Sequence, residues 1–252
     1  MEKPVVFKNK NGKQLVGIIH LPKGNKKFPL VLFCHGFGGS KTSQRGIRIA
    51  RVLEKNKIAS FRFDFEGCGD SEGNFETITV KRQVSDLSSA VKFILKQKWV
   101  DKKRIAFIGH SLGGLIISFF VADSNFSAKT LVLSAPAINQ KKLIPLWSKG
   151  ENIQKIAEKK NYLWKSFKMS NHYLKENLNK DYSPILNKIN IPILIIHGKK
   201  DDKVPLKFSK DLAKNKKNIK LVIYPKADHD FEKYQIFQKL IKDTMFWFKK
   251  YL

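Results

Sequence analysis

Short apolar runs rich in Val, Ile, Leu and Phe alternate along this chain with longer segments that have the 3.6-residue periodicity of amphipathic helices. This alternation predicts βαβ units, in which helices connect parallel strands. Several runs are apolar at consecutive positions, as expected for a sheet that helices cover on both faces. We therefore predict an α/β fold in which helices flank a mostly parallel central sheet. The predicted strands are 14–20, 30–35, 58–63, 105–108, 131–133, 193–196 and 221–224, and the clearest predicted helices are 43–55, 80–97 and 231–248.

The segment 137–183 interrupts the alternation, because it contains no strand signal. A connection of this length within a compact domain is unusual and often functional. Its apolar residues recur mainly at helical spacings, so we expect a single domain over 1–252 with a helical cap or lid inserted at 137–183. Trp147, Trp164 and Phe167 are its candidate substrate-binding residues. The alternative is that these aromatic side chains only form the core of the cap.

The chain is strongly basic, with 49 Lys+Arg against 21 Asp+Glu and a formal net charge of +28. Only six of these basic residues are arginine, the residue favoured for bidentate recognition of phosphates and bases. The segment 137–183 has nearly the same charge density as the whole chain, so the charge is spread along the sequence. We therefore expect no nucleic-acid partner.

Nothing in the sequence predicts a membrane protein or a disulfide-stabilised one. The longest apolar stretch, Leu112–Ala122, has 11 residues, whereas a membrane-spanning helix needs about 20. Cys34 and Cys68 form no spaced motif, and the first twenty residues do not resemble a signal peptide. We expect a cytoplasmic protein without a transmembrane segment. Its oligomeric state stays open, with a homodimer among the alternatives.

The candidate nucleophile is Ser111, which lies in the sequence Gly109-His110-Ser111-Leu112-Gly113. This sequence matches G-x-S-x-G, and it follows a predicted strand and precedes an apolar helical segment. In that position the motif forms a sharp turn that exposes the serine oxygen above the edge of the sheet. The alternative is a glycine-rich turn with an incidental serine. We expect the turn to direct the adjacent His110 elsewhere.

A serine hydroxyl needs a base that accepts its proton, and His229 is the candidate among six histidines. It lies downstream of Ser111, after the last predicted strand and before the final helix. His35 and His197 end strands just before a glycine, where a packed, hydrogen-bonded histidine is more common. The alternative for His229 is a surface loop histidine.

The base in turn needs a carboxylate that orients its ring and stabilises its cation. Asp201 and Asp202 follow the strand 193–196 and lie between Ser111 and His229 in chain order. The order Ser, Asp, His is typical of one arrangement of the catalytic triad. We favour Asp201, with Asp202 as the alternative, because spacing does not separate two neighbours on one loop.

Five motifs in chain order resemble those of the α/β-hydrolase serine esterases, and the resemblance covers residues 14–250. They are His35–Gly39, Asp64–Ser71, Gly109–Gly114, His197–Pro205 and Ala227–Phe231. Within this group the chain looks most like bacterial cinnamoyl/feruloyl-type esterases and acylglycerol lipases. The resemblance implies the α/β-hydrolase fold and an oxyanion hole formed by the backbone N–H groups of Phe37 and Leu112. One departure concerns the insertion, which has no Asp before Asp181, whereas phenolic-ester hydrolases often bind the ring hydroxyl with acidic residues there.

These residues predict an enzyme, a serine carboxylic ester hydrolase that cleaves small or medium acyl or aryl esters. We expect it to need no cofactor and no metal, since the histidines lack ligand spacings and neither cysteine has a C-x-x-C partner. Its expected partner is a small-molecule ester. One alternative is a monoacylglycerol or lysophospholipid lipase. An alternative of another class is a non-catalytic basic binding module on a hydrolase scaffold.

Overall fold

A computed structural model describes residues 1–124, 126–148, 152–164 and 167–252 of the chain. Eight strands form one sheet, and two further strands form a separate hairpin. The strands are β1 (Glu2–Lys8), β2 (Gln14–His20), β3 (Phe28–Cys34), β4 (Ala59–Phe63), β5 (Val100–His110), β6 (Thr130–Ser134), β7 (Asn161–Trp164), β8 (Phe167–Ser170), β9 (Ile193–Gly198) and β10 (Ile219–Tyr224). The helices are α1 (Gln44–Lys55), α2 (Val80–Ile94), α3 (Leu112–Asp123), α4 (Gln140–Trp147), α5 (Ile153–Glu158), α6 (His172–Asn177), α7 (Leu206–Ala213) and α8 (Tyr234–Tyr251).

The large sheet has the strand order β1-β2-β4-β3-β5-β6-β9-β10. Strand β2 pairs antiparallel with both of its neighbours, and all other pairs in this sheet are parallel. This arrangement confirms the predicted mostly parallel sheet. The carboxyl ends of β3, β5, β9 and β10 therefore meet at one edge, and the loops that follow them supply the residues of the candidate site.

Helices cover both faces of the sheet, which explains the continuously apolar strands. All seven residues of β3 are buried, and so are all five of β4. Helices α1 and α8 pack on one face through residues such as Leu53 and Leu240. Helices α2 and α3 pack on the other, through residues such as Leu87 and Ile116. Strands that are buried on both sides have no polar face, so they lack the alternation of a half-exposed strand.

Three features differ most from the sequence-based expectations: β1, the segment 137–183 and helix α7, which was not predicted. Strand β1 was not predicted, because its exposed edge position leaves only Phe7 buried and weakens the apolar signal. The segment 137–183 contains α4, α5 and α6 but also the antiparallel hairpin of β7 and β8, so it is not purely helical. That hairpin has only four residues in each strand, too few for a periodicity of two to stand out.

Within the part of the chain that the structure describes, no helix has both the length and the apolar character that crossing a bilayer requires.

Candidate active site

Ser111 occupies the turn between β5 and α3, with φ 52° and ψ −118°. A non-glycine residue with a positive φ is strained, at a cost of order 1–3 kcal/mol, and such residues cluster at functional sites. Two backbone hydrogen bonds hold the turn. The Ser111 N–H donates to the Ser134 carbonyl at 2.9 Å, and the Ser111 carbonyl accepts from Ala137 N–H at 3.0 Å. The local sequence therefore forms a rigid turn that presents the serine side chain at the edge of the sheet.

The glycines of the motif allow three backbone segments to meet at this turn. A Cβ atom on Gly109 would lie 2.5 Å from the Gly113 carbonyl oxygen. A Cβ atom on Gly113 would lie 2.2 Å from the Cys34 carbonyl oxygen. Any larger residue at either position would force β5, α3 and the end of β3 apart.

The loop after β3 lies directly beside the nucleophile. A Cβ atom on Gly36 would be 3.3 Å from the Ser111 Cβ, and Phe37 is the next residue along this loop. Leu112 is the first residue of α3, where backbone N–H groups have no acceptor within the helix. Both candidate oxyanion-hole residues thus flank Ser111. The Phe37 ring also packs edge-on against Tyr173 of α6, with ring centroids 5.8 Å apart.

Asp201 and His229 meet through a short hydrogen bond, in which His229 Nδ1 lies 2.7 Å from Asp201 Oδ2. Both side chains are almost fully buried. Asp201 Oδ1 accepts from the backbone N–H groups of Lys203 at 2.9 Å and Val204 at 2.8 Å. Asp202, the alternative acid, lies exposed on the same loop. The structure therefore brings Asp201 to the imidazole of His229.

His197 supplies a second imidazole to Asp201. Its Nε2 lies 2.8 Å from the Val204 carbonyl oxygen and 3.1 Å from Asp201 Oδ2, and its Nδ1 lies 2.7 Å from Ser209 Oγ. Because Nε2 faces two acceptor oxygens, it carries the proton, and Nδ1 accepts from the Ser209 hydroxyl. His197 is thus the buried, hydrogen-bonded histidine that its position before a glycine suggested.

The electrostatic setting keeps Asp201 ionised. Burial alone would raise the pKa of its carboxyl, but the hydrogen bonds from His197 and His229 outweigh burial and hold that pKa well below its usual range. An ionised carboxylate on Nδ1 fixes the tautomer of His229 and leaves Nε2 available to a reacting hydroxyl.

Ser111 and His229 line the same cavity, whose volume is about 650 Å³. Among the described hydrogen bonds, none joins the Ser111 hydroxyl to the His229 ring. Such contacts are often long in a ligand-free site and shorten when substrate binds. Trp147 of the segment 137–183 also lines the cavity. The side chains of Trp164 and Phe167 lie outside the described part of the chain.

His110 does not point away from the site, contrary to expectation. It lines the cavity, and its ring centroid lies 4.7 Å from that of His229. Its Nε2 is 3.4 Å from Asp230 Oδ1. Burial lowers the pKa of His110 to about 3, so the imidazole is neutral at neutral pH. The sequence carried no signal for this contact, because the geometry of the turn and not the spacing decides where a neighbour of the nucleophile points.

Three of these groups could together ligate a metal ion. One nitrogen each of His110 and His229 and a carboxylate oxygen of Asp230 all lie within 4.8 Å of one another. However, Asp230 already pairs with Lys203 at 2.5 Å and lies 3.6 Å from Arg45. A divalent cation would face both positive charges, so the charge balance of this cluster suits an ion pair better than a metal.

Comparison with known proteins matches two overlapping segments of the chain to hydrolase families. Residues 25–185 match the family described as serine aminopeptidase, S33, and residues 173–239 match the dienelactone hydrolase family. The solved structure "Ferulic Acid bound to Est1E from Butyrivibrio proteoclasticus" is 25% identical, with a TM-score of 0.86 over 96% of this chain and 98% of that one.

Two curated relatives complete the comparison. "Putative esterase/lipase 2" of Mycoplasma genitalium is 28% identical over 82% of this chain and 84% of its own length. The Escherichia coli "Uncharacterized 31.7 kDa protein in traX-finO intergenic region" is 34% identical over 94 residues, and the chain spans only 32% of its length. The α/β-hydrolase fold implied by the five motifs is thereby confirmed. The chain belongs to the serine aminopeptidase S33 family of α/β-hydrolases.

Proposed function

We propose that this protein is a serine carboxylic ester hydrolase that acts through an acyl-enzyme intermediate. The observation that carries the proposal is the 2.7 Å hydrogen bond between His229 and Asp201, which lies on the cavity that the strained Ser111 also lines. A nucleophile, a base and an oriented carboxylate are the three groups that acyl transfer requires. The resemblance to esterases over nearly the whole chain supports the same chemistry.

In the proposed acylation step, Ser111 Oγ attacks the ester carbonyl and His229 Nε2 accepts the serine proton. The Asp201 carboxylate stabilises the imidazolium that forms. The backbone N–H groups of Phe37 and Leu112 would donate hydrogen bonds to the tetrahedral oxyanion. His229 then protonates the leaving alcohol, and the acyl group stays on Ser111.

Deacylation repeats these steps with water as the nucleophile. His229 accepts a proton from water, which attacks the acyl carbon, and it returns that proton to Ser111 as the acid leaves. In both steps His229 Nε2 first accepts a proton from the nucleophile and then gives it to the leaving group, so water is the one co-reactant that the cycle consumes.

The charges around the cavity favour esters over substrates with a free amino terminus. Among the described residues that line it, five are cationic (Lys41, Arg45, Arg48, Arg62 and Lys203), and two are carboxylates (Asp230 and Glu232). An α-ammonium group binds a carboxylate, but Asp230 is already paired with Lys203 and Glu232 is exposed to solvent, so the cations dominate the charge inside the cavity. We therefore propose ester hydrolysis and not aminopeptidase action, despite the name of the matched family.

For the acyl group we propose an aryl or medium-length chain, as in cinnamoyl and feruloyl esters. The structural likeness to Est1E, whose solved structure holds ferulic acid, supports this class. A monoacylglycerol or lysophospholipid lipase is the second candidate, favoured by the position of Trp147 at the cavity, where an indole could cover an acyl chain.

A hydrolysis panel tests the proposal. It comprises p-nitrophenyl esters from acetate to palmitate, methyl ferulate, a monoacylglycerol and an amino-acid p-nitroanilide. We expect turnover of short esters and of methyl ferulate, none of the anilide, and complete loss in a folded Ser111→Ala variant. Hydrolysis that persists in Ser111→Ala would refute the proposal. A preference for palmitate and monoacylglycerol would replace the aryl-ester class with the lipase class.

A further inference from the structure

Asp230, the residue after His229, contacts side chains from three other parts of the fold. Its Oδ2 pairs with Lys203 Nζ at 2.5 Å, on the loop that carries Asp201. Its Oδ1 lies 3.4 Å from His110 Nε2, beside Ser111, and 3.6 Å from Arg45 Nη2 of α1. One carboxylate thus joins the loops of the candidate nucleophile, acid and base.

Lys203, which pairs with Asp230, also contacts the candidate acid and the segment 137–183. Its backbone N–H donates to Asp201 Oδ1, and its carbonyl accepts from the Trp147 indole N–H at 2.6 Å. The same residue therefore orients the acid through its backbone and holds Asp230 through its ammonium group. A shift of the loop after β10 would strain the contacts of the loop after β9 as well.

The backbone next to Asp230 needs such support. Phe231 has φ 56°, a left-handed conformation that is unusual for a bulky residue, and its side chain is buried. Arg45 Nη2 donates to the Asp230 carbonyl at 2.6 Å, and its guanidinium lies 5.8 Å from the centroid of the Phe231 ring. Strained turns persist where surrounding contacts over-determine them.

We propose that Asp230 is a positioning residue. Through its contacts with Lys203, Arg45 and His110 it holds the loop of His229 where the imidazole can reach both Ser111 and Asp201. This inference rests on the proposed esterase function. Asp230 touches neither the substrate carbonyl nor the serine in this role. It acts by keeping the His229 ring within reach of the serine hydroxyl.

Loss of the Asp230 carboxylate should change the stability of the protein much less than its rate of turnover. This carboxylate and Lys203 are partly exposed, and ion pairs of this kind contribute little to stability. Displacing a catalytic group by about 1 Å, in contrast, costs on the order of 100-fold in rate. A positioning role therefore predicts a large loss of turnover with a small loss of thermal stability.

The experiment compares Asp230→Asn with Asp228→Asn, the matched change on the other side of His229. The Asp228 carboxylate accepts a local backbone hydrogen bond from Glu232 N–H, and it acts on Arg45 by charge alone, with no described hydrogen bond or ion pair to it. For Asp230→Asn we expect kcat to fall by about 10- to 100-fold, with KM nearly unchanged and Tm within a few degrees of wild type. Asp228→Asn is expected to keep kcat within about twofold of wild type.

A double-mutant cycle with Lys203→Met separates positioning from a general structural effect. If the ion pair transmits the effect, the double variant loses no more activity than the worse single variant, and the two losses do not multiply. Multiplying losses, or an Asp230→Asn variant with wild-type kcat, would overturn the inference while leaving esterase activity established. If the wild type neither hydrolyses esters nor reacts at Ser111 with a fluorophosphonate, the proposed function fails and this inference fails with it.

Discussion

The indole N–H of Trp147 donates a hydrogen bond of 2.6 Å to the carbonyl of Lys203, which joins the segment 137–183 to the loop of Asp201. Helix α6 of the same segment makes a second connection, because the Glu176 carboxylate accepts from the N–H groups of Val80 and Lys81 at the start of α2. The segment is thus bonded to two other parts of the fold, the start of α2 and the loop after β9, where Lys203 lies two residues from the candidate acid. We propose that it acts as a cap whose position is coupled to the site.

Replacing Trp147 by Phe removes this hydrogen bond and keeps an aromatic ring in the cavity wall. The Lys203 carbonyl then loses a partner worth about 0.5–1.5 kcal/mol. We expect kcat/KM for methyl ferulate to fall by about 2- to 10-fold. Trp99→Phe is the matched control, since Trp99 directly precedes β5 and so lies at the amino-terminal end of that strand, away from the site. Equal effects of the two changes would argue against a coupling between the cap and the acid loop.

Asp201→Asn replaces the carboxylate that orients His229 by an amide of the same shape. Removing the equivalent charge from a serine–histidine pair costs on the order of 10⁴-fold in kcat, because the imidazole adopts the wrong tautomer. We expect a loss of about 10³- to 10⁴-fold, measured with a p-nitrophenyl ester at constant pH. Asp202→Asn changes an exposed neighbour and should leave kcat within about twofold. The opposite ranking of the two variants would assign the acid to Asp202.

Gly113→Ala tests the close packing beneath the nucleophile. The added methyl group would meet the Cys34 carbonyl oxygen at 2.2 Å, so the backbone of β3 or α3 must move. We expect the free energy of unfolding to fall by about 3 kcal/mol or more, as measured by urea denaturation. At Gly114 the methyl group would instead meet the Pro136 Cβ at 3.0 Å, a looser contact. A Gly114→Ala variant that is less stable than Gly113→Ala would contradict this account.

Asp86 gives the stability of the protein a specific pH dependence. Burial raises the pKa of its carboxyl to about 6, against an ordinary value near 3.9. The folded state therefore binds the Asp86 proton more tightly than the unfolded state does. The protonated carboxyl thus adds to the free energy of unfolding, fully below about pH 4, and this gain is lost as the pH rises through 6. We expect the Asp86 ¹³Cγ resonance to titrate near pH 6. A midpoint near 4 would show that the contacts with Asn9 and Glu66 outweigh burial.

Much of the fold could be predicted because the relevant signals are local. Strand β2 has the predicted bounds Gln14–His20, and α1 begins directly after Ser43, whose hydroxyl accepts from Gly46 N–H as an N-terminal cap. The turn at Ser111 follows from glycines that lie two positions away on either side. In each case the determining contacts lie within a few residues, so the sequence pattern contains them.

The sequence by itself determined the α/β class, the order of the main strands and helices, and the place of Ser111 between a strand and a helix. Tertiary structure alone decided that Asp201 and not Asp202 lies against His229, that His110 faces the same cavity, and that Lys203 pairs with Asp230. The physical reason is distance along the chain. These groups stand on loops after different parallel strands, and they meet only when the sheet places the carboxyl ends of those strands at one edge.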